Sequence, residues 1–116
     1  MGLDILVVDD DVGSRDALTR LLTDEGYEVA GAANGIAAFD YLRRSPPRLI
    51  IFDLMMPVLD GWEFREQQRK DPALARIPVI ATSAALRIVD ADAFFRKPID
   101  VGKLLSTVST FLERGN

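Results

Sequence analysis

Polar and apolar positions follow two alternating patterns along this chain: short unbroken apolar runs, and longer stretches in which apolar residues return every three or four positions. Leu3-Asp4-Ile5-Leu6-Val7-Val8 is of the first kind, mostly apolar and β-branched toward its end, as expected of a strand covered on both faces. Three aspartates stop it. From about Val12 to Glu25, Leu18, Leu21 and Leu22 recur at helical spacing and Gly26 supplies a C-terminal stop, which predicts an amphipathic helix. Tyr27 to Ala32 reads as a second strand, less apolar and so nearer an edge. Asn34 is placed to cap a helix through about Arg43 that turns Ile36, Phe39 and Leu42 inward, and Ser45-Pro46-Pro47 ends it.

Arg48 to Asp53 is the next buried strand. After a loop at Met56-Pro57 and then Asp60-Gly61 comes a polar helix anchored by Trp62 and Phe64, with Gln67 and Gln68 where a second apolar ridge is expected. Ile77 to Ser83 is a fourth strand and Ala93-Phe94-Phe95-Arg96 a short fifth. Asp100 caps a last helix with a continuous stripe of Val101, Leu104, Leu105, Val108, Phe111 and Leu112. Strands alternating with helices predict an α/β fold: a parallel sheet with right-handed crossovers and helices on both faces. One crossover is short. Ala84 to Asp92 holds about nine residues, fewer than the dozen or more that a parallel connection uses, so a fourth helix is expected to shrink to a turn or loop around Leu86-Arg87-Ile88-Val89. Leu86, Ile88, Val89 and Phe94 would then form a partly exposed docking patch.

The 116 residues fit one domain, and a content of 48% hydrophobic and 28% charged residues is that of a globular chain. No run is long enough to span a bilayer and nothing marks a secretion signal, which predicts a cytoplasmic protein without a membrane partner. The absence of cysteine excludes disulfides, thiolate metal sites and cysteine nucleophiles. The absence of histidine removes the commonest base and transition-metal ligand, and any phosphohistidine within this chain. Chemistry is left to carboxylates, hydroxyls and lysine, and 14 basic against 18 acidic residues argue against nucleic acid as a partner.

In a parallel sheet of this kind function gathers at the carboxyl ends of the strands. There the sequence offers Asp9, Asp10 and Asp11, Asp53, Ser83 and Lys97. Crowded carboxylates repel unless a cation neutralises them, and an all-oxygen site suits Mg²⁺ or Mn²⁺. Such an ion and the Lys97 ammonium could stabilise a phosphoryl group in transfer to Asp53 as nucleophile. Each residue has a plainer reading alone: Asp9 to Asp11 as a helix cap, Asp53 as a turn residue, Lys97 as a solvated charge, Ser83 as a strand terminator, Phe94 as packing. Their joint order carries the chemistry.

That order resembles the response-regulator receiver family: Val7-Val8-Asp9-Asp10, Ile50 to Asp53 followed by Leu54-Met55-Met56-Pro57 and Asp60-Gly61, Pro78 to Ala84, and Lys97-Pro98. The resemblance covers nearly the whole chain, which makes residues 1–116 one receiver domain. It implies a flavodoxin-like, doubly wound five-stranded sheet in the order 2-1-3-4-5. It further implies Asp53 as phosphoacceptor, a metal held by Asp10, Asp9, Asp53 and the backbone carbonyl of Met55, Lys97 on a phosphoryl oxygen, the Ser83 hydroxyl turning to the phosphoryl group, and Phe94 following as aromatic switch. Thr82 is a rival for the hydroxyl role, and Ser83 is preferred because it precedes an alanine, as the family's residue does. The Lys97-Pro98 bond resembles one usually cis in this family.

The implied function is a two-component signalling phosphoacceptor rather than an enzyme, catalysing only its own phosphorylation and slow autodephosphorylation. Its partners would be a histidine kinase or phosphotransfer protein and a downstream protein, with the chain a monomer or weak dimer. With nothing after Asn116, it is expected to stand alone and to act through other proteins. Two other classes compete. One is a receiver-shaped interaction module that is not phosphorylated. The other is a phosphatase with an aspartate nucleophile, disfavoured because Met55 stands where its general acid belongs.

Overall fold

The computed structural model describes residues 2–55, 61–84 and 91–114. Five strands, β1 (Ile5–Val8), β2 (Val29–Ala32), β3 (Leu49–Asp53), β4 (Val79–Ser83) and β5 (Ala93–Arg96), pair in parallel in the order β2-β1-β3-β4-β5. Four helices lie among the described residues: α1 (Val12–Asp24), α2 (Gly35–Arg44), α3 (Gly61–Lys70) and α4 (Val101–Arg114). This is the doubly wound fold expected. The predicted loop around Leu86 to Val89, and the patch built on Leu86, Ile88 and Val89, lie outside the described residues, as do Met56, Pro57 and Asp60.

The apolar runs form strands because both faces of the sheet are covered. Leu6, Val8, Ile50, Phe52, Val79 and Ala81 pack to one side with Ala38, Phe39 and Leu42 of α2 and Phe64 of α3. Their neighbours Ile5, Val7, Leu49, Ile51 and Ile80 pack to the other side with Leu22 of α1 and Leu104, Val108 and Leu112 of α4. Alternation of side chains along each strand makes one short sequence serve two cores. Phe64 joins Phe39 and Phe52 in an aromatic cluster, with ring centroids 4.8 and 5.4 Å apart, directly beneath the end of β3.

The helix ends follow from local chemistry. Asp11 caps α1 by accepting from Ser14 N at 2.8 Å, Asn34 caps α2 through Ala37 N at 2.8 Å, and Asp100 caps α4 through Lys103 N at 3.1 Å. Gly26 closes α1 with φ of 97°, a left-handed conformation that favours glycine.

Two inward assignments need correction. Ile36 is 62% exposed, because the buried face of α2 is set by Gly35, Ala38, Phe39 and Leu42, and at about 100° per residue Ile36 is turned off that face. Val101 is 47% exposed, since the first turn of α4 reaches past the apolar stripe that Leu104 opens. Gln68 stands where an apolar ridge was expected and is nevertheless fully buried. Its amide donates to the carbonyls of Leu74 at 2.9 Å and Ile77 at 3.0 Å, and accepts from Arg65 at 2.9 Å. It thereby ties α3 to the turn that leads into β4.

Candidate active site at the carboxyl end of the sheet

Strand β1 ends at Val8 and β3 at Asp53, and the two strands pair in register with Val8 opposite Phe52. Hydrogen bonding of Asp9 N to Ala32 O at 3.1 Å extends the edge of the sheet by one residue before the chain turns into α1. Asp9 and Asp53 therefore emerge side by side. Carboxylate oxygens of Asp9, Asp10 and Asp53 lie within 4.8 Å of one another, with Asp9 and Asp53 buried and Asp10 exposed. One Asp53 oxygen accepts from Met55 N at 3.0 Å, which fixes the turn after β3.

Lys97 arrives from the far side. Its backbone N–H donates to Ser83 O at 2.8 Å, just past the last β4–β5 pair, and the Lys97-Pro98 peptide is cis. Its ammonium lies 3.1 Å from Asp53 Oδ2 and 3.4 Å from Asp9 Oδ2. Burial raises the Asp9 carboxyl above its ordinary value, against the lowering effects of the Asp11 N–H and the Lys97 charge, while the Asp53 charge raises it further. For Lys97 burial acts downward, but the hydrogen bond and charge of Asp53, with help from Asp9, outweigh it and the ammonium is held more firmly than usual. Asp11 points away into its cap, and its carboxyl is lowered by the Ser14 hydroxyl and backbone N–H.

The hydroxyls divide by face. Thr82 Oγ1 donates to Phe52 O at 3.3 Å, on the side where Ile80 packs with α1 and α4. Ser83 is fully buried and, by strand alternation, shares its face with Ala81. Phe94 pairs with Ala81 and packs into that same core, whereas Phe95 packs into the opposite one. Ser83 and Phe94 thus occupy one face of neighbouring strands, with Phe94 two residues back from the level of Ser83. Asp9, Asp10, Asp53, Ser83 and Lys97 are at this edge of the sheet, and Phe94 stands two residues back from the end of β5.

Sequence reasoning missed Arg15. Its guanidinium Nη1 donates to the Asp9 carbonyl at 2.7 Å. The spacing gave a hint, since Arg15 lies one helical turn beyond Asp11, on the turn that closes over the acidic loop.

Three carboxylates against one ammonium leave an excess of negative charge in a ring of oxygen donors. That donor set fits a hard divalent cation such as Mg²⁺.

Comparison with known proteins agrees with this geometry. Residues 5–109 match the family model described as the response regulator receiver domain. Response regulator Rre1 of Synechocystis is 36% identical over 121 residues, covering 97% of this chain and 52% of that protein. The DNA-binding dual master transcriptional regulator RpaA of the same organism is 35% identical, covering 95% of this chain and 49% of that protein. The chain thus spans about half the length of these two relatives. Among solved structures, the Vibrio cholerae chemotaxis protein CheY4 superposes with a TM-score of 0.87 at 28% identity, covering 97% of this chain and all of that one. Fold, site geometry and sequence together place the chain in the response regulator receiver domain family.

Proposed function

We propose that this receiver domain accepts a phosphoryl group on Asp53 from a histidine kinase or phosphotransfer protein, in a Mg²⁺-dependent reaction, and that the modified form binds a downstream protein differently. The observation that carries this reading is the convergence of Asp9, Asp10 and Asp53 within 4.8 Å, with Lys97 in contact with Asp9 and Asp53.

In the transfer step a carboxylate oxygen of Asp53 forms a bond to phosphorus as the bond from phosphorus to the donor's imidazole nitrogen breaks. The electron pair of the broken bond leaves with the imidazole. Asp10, Asp9, Asp53 and the Met55 carbonyl would hold the divalent ion, which when bound supplies positive charge beside the transferring oxygens. Lys97 exchanges its contact with Asp53 for one with a phosphoryl oxygen, and so compensates the charge that arrives. The Ser83 hydroxyl turns toward the same group and Phe94, on the same face, follows into the space vacated. The domain turns over no separate substrate; it catalyses its own phosphorylation and a slow loss of the phosphoryl group.

The test is incubation with acetyl phosphate and Mg²⁺, read by intact mass. The reading predicts a single phosphoryl adduct on wild type, none after chelation and none on Asp53→Asn. Equal modification of wild type and Asp53→Asn would overturn it.

A further inference from the structure

Arg15 and Gly31 form a contact that the proposed chemistry does not yet use. Arg15 is half-buried one turn into α1, and its Nη1 reaches back 2.7 Å to the carbonyl oxygen of Asp9. Its aliphatic stem lies across Gly31 of the edge strand β2, where an added Cβ would stand 3.1 Å from Arg15 Cδ and 3.2 Å from Cγ. Gly31 pairs with Val7, so this seat adjoins the strand that delivers Asp9. A side chain at position 31 would press on the arginine stem and push it outward by a few tenths of an ångström or more.

The geometry points to Arg15 as a positioning residue for the acidic loop, with Gly31 as its seat. The carbonyl it holds belongs to the peptide that joins Asp9 to Asp10. That unit is planar, so holding its oxygen restrains the plane that carries both Cα atoms; with Asp9 N also held by Ala32 O, rotation about the Asp9 Cα–C bond is restrained, and with it the direction of the Asp9 side chain. The other fixed points of the loop are Asp9 N on Ala32 O at 3.1 Å and Asp11 N on Asp9 Oδ1 at 3.0 Å. Without Arg15 the peptide between the two acids loses the bond that sets its plane. The guanidinium also brings positive charge to a run of three aspartates through a main-chain oxygen, leaving the carboxylates to a metal. Groups that orient the holders of a metal in this way commonly change its affinity by about tenfold or more when removed.

This inference rests on the metal reading proposed above, and the experiment separates the two. Mn²⁺ alone is titrated into the full chain, with free Mn²⁺ followed by electron paramagnetic resonance and the fold of each variant checked by circular dichroism. Arg15→Gln is expected to bind about tenfold more weakly than wild type. Gly31→Val, which keeps the guanidinium but fills its seat, is expected to weaken binding several-fold in the wild-type background and to add nothing in the Arg15→Gln background. Wild-type affinity in Arg15→Gln overturns the role of Arg15. An undiminished Gly31→Val effect when Arg15 is absent overturns the seat. Should Arg15→Gln fail to fold, Gly31→Val alone decides, and wild-type affinity there overturns the proposal. Asp10→Asn is titrated in parallel: if it binds Mn²⁺ as wild type does, the metal reading itself has failed.

Discussion

The ammonium of Lys97 sits 3.1 Å from Asp53 Oδ2, so the residue proposed to accept the phosphoryl group is already paired with a cation before any donor arrives. The same ammonium is 3.4 Å from Asp9 Oδ2. It therefore occupies the region toward which a divalent ion would be drawn, and the two cations oppose each other. Lys97→Ala is expected to bind Mn²⁺ more tightly than wild type, yet to be phosphorylated by acetyl phosphate roughly a hundredfold more slowly, because a preorganised positive charge beside the phosphoryl oxygens has gone. Weaker metal binding together with an unchanged phosphorylation rate would contradict the role given to Lys97.

Asp9 bears on stability. Burial raises its carboxyl above the ordinary value of 3.8, so the folded protein holds that proton more firmly than the unfolded chain does. The favourable contribution is complete below 3.8 and is lost as pH rises through the folded-state value; above it, the ionised Asp9 is a burden. In the presence of a chelator, Asp9→Asn is expected to be more stable than wild type at neutral pH, with the difference closing in acid. Urea unfolding at several pH values checks this. A chelated Asp9→Asn less stable than wild type at neutral pH would contradict it.

Gln68 is expected to be worth more than its place in a polar helix suggests. Gln68→Leu leaves the carbonyls of Leu74 and Ile77 without their shared donor and should cost about 2–4 kcal/mol. Urea denaturation in the presence of a chelator measures it, and wild-type stability would show that the two carbonyls find other partners.

Asn34→Ala removes the hydrogen bond to Ala37 N at the start of α2 and should cost about 1 kcal/mol without altering phosphorylation by acetyl phosphate. The same unfolding assay reads the first effect and intact mass the second. Loss of phosphorylation would reveal a link between α2 and the site that the hydrogen bonding does not provide for.

These residues also show how far the chain could be read before its structure. The strands were legible because Ile5 to Val8 and Leu49 to Phe52 are apolar without interruption, which a sheet covered on both faces demands. The site was legible because Asp9, Asp10 and Asp53 close such runs and Lys97 follows the short fifth strand, an order that resembles the receiver family's and that the parallel topology brings together. Ile36 was misplaced because an apolar residue in the first turn of a short helix is assigned to a face by few neighbours. Gln68 and Arg15 were opaque for another reason. Each is a polar residue on a helix whose role is to satisfy main-chain carbonyls, and a carbonyl leaves no trace in residue identity. Gly31 was equally silent, since its contribution is the absence of a side chain beneath Arg15.

The central claim concerns which oxygen receives phosphorus. Phosphorylated protein can be treated with borohydride, which reduces an acyl phosphate on aspartate to homoserine and leaves free carboxylates intact, and then mapped by peptide mass spectrometry. The account predicts homoserine at position 53, and only when Mg²⁺ and the phosphodonor are both present. Homoserine at position 9 or 10, with Asp53 unchanged, would contradict it.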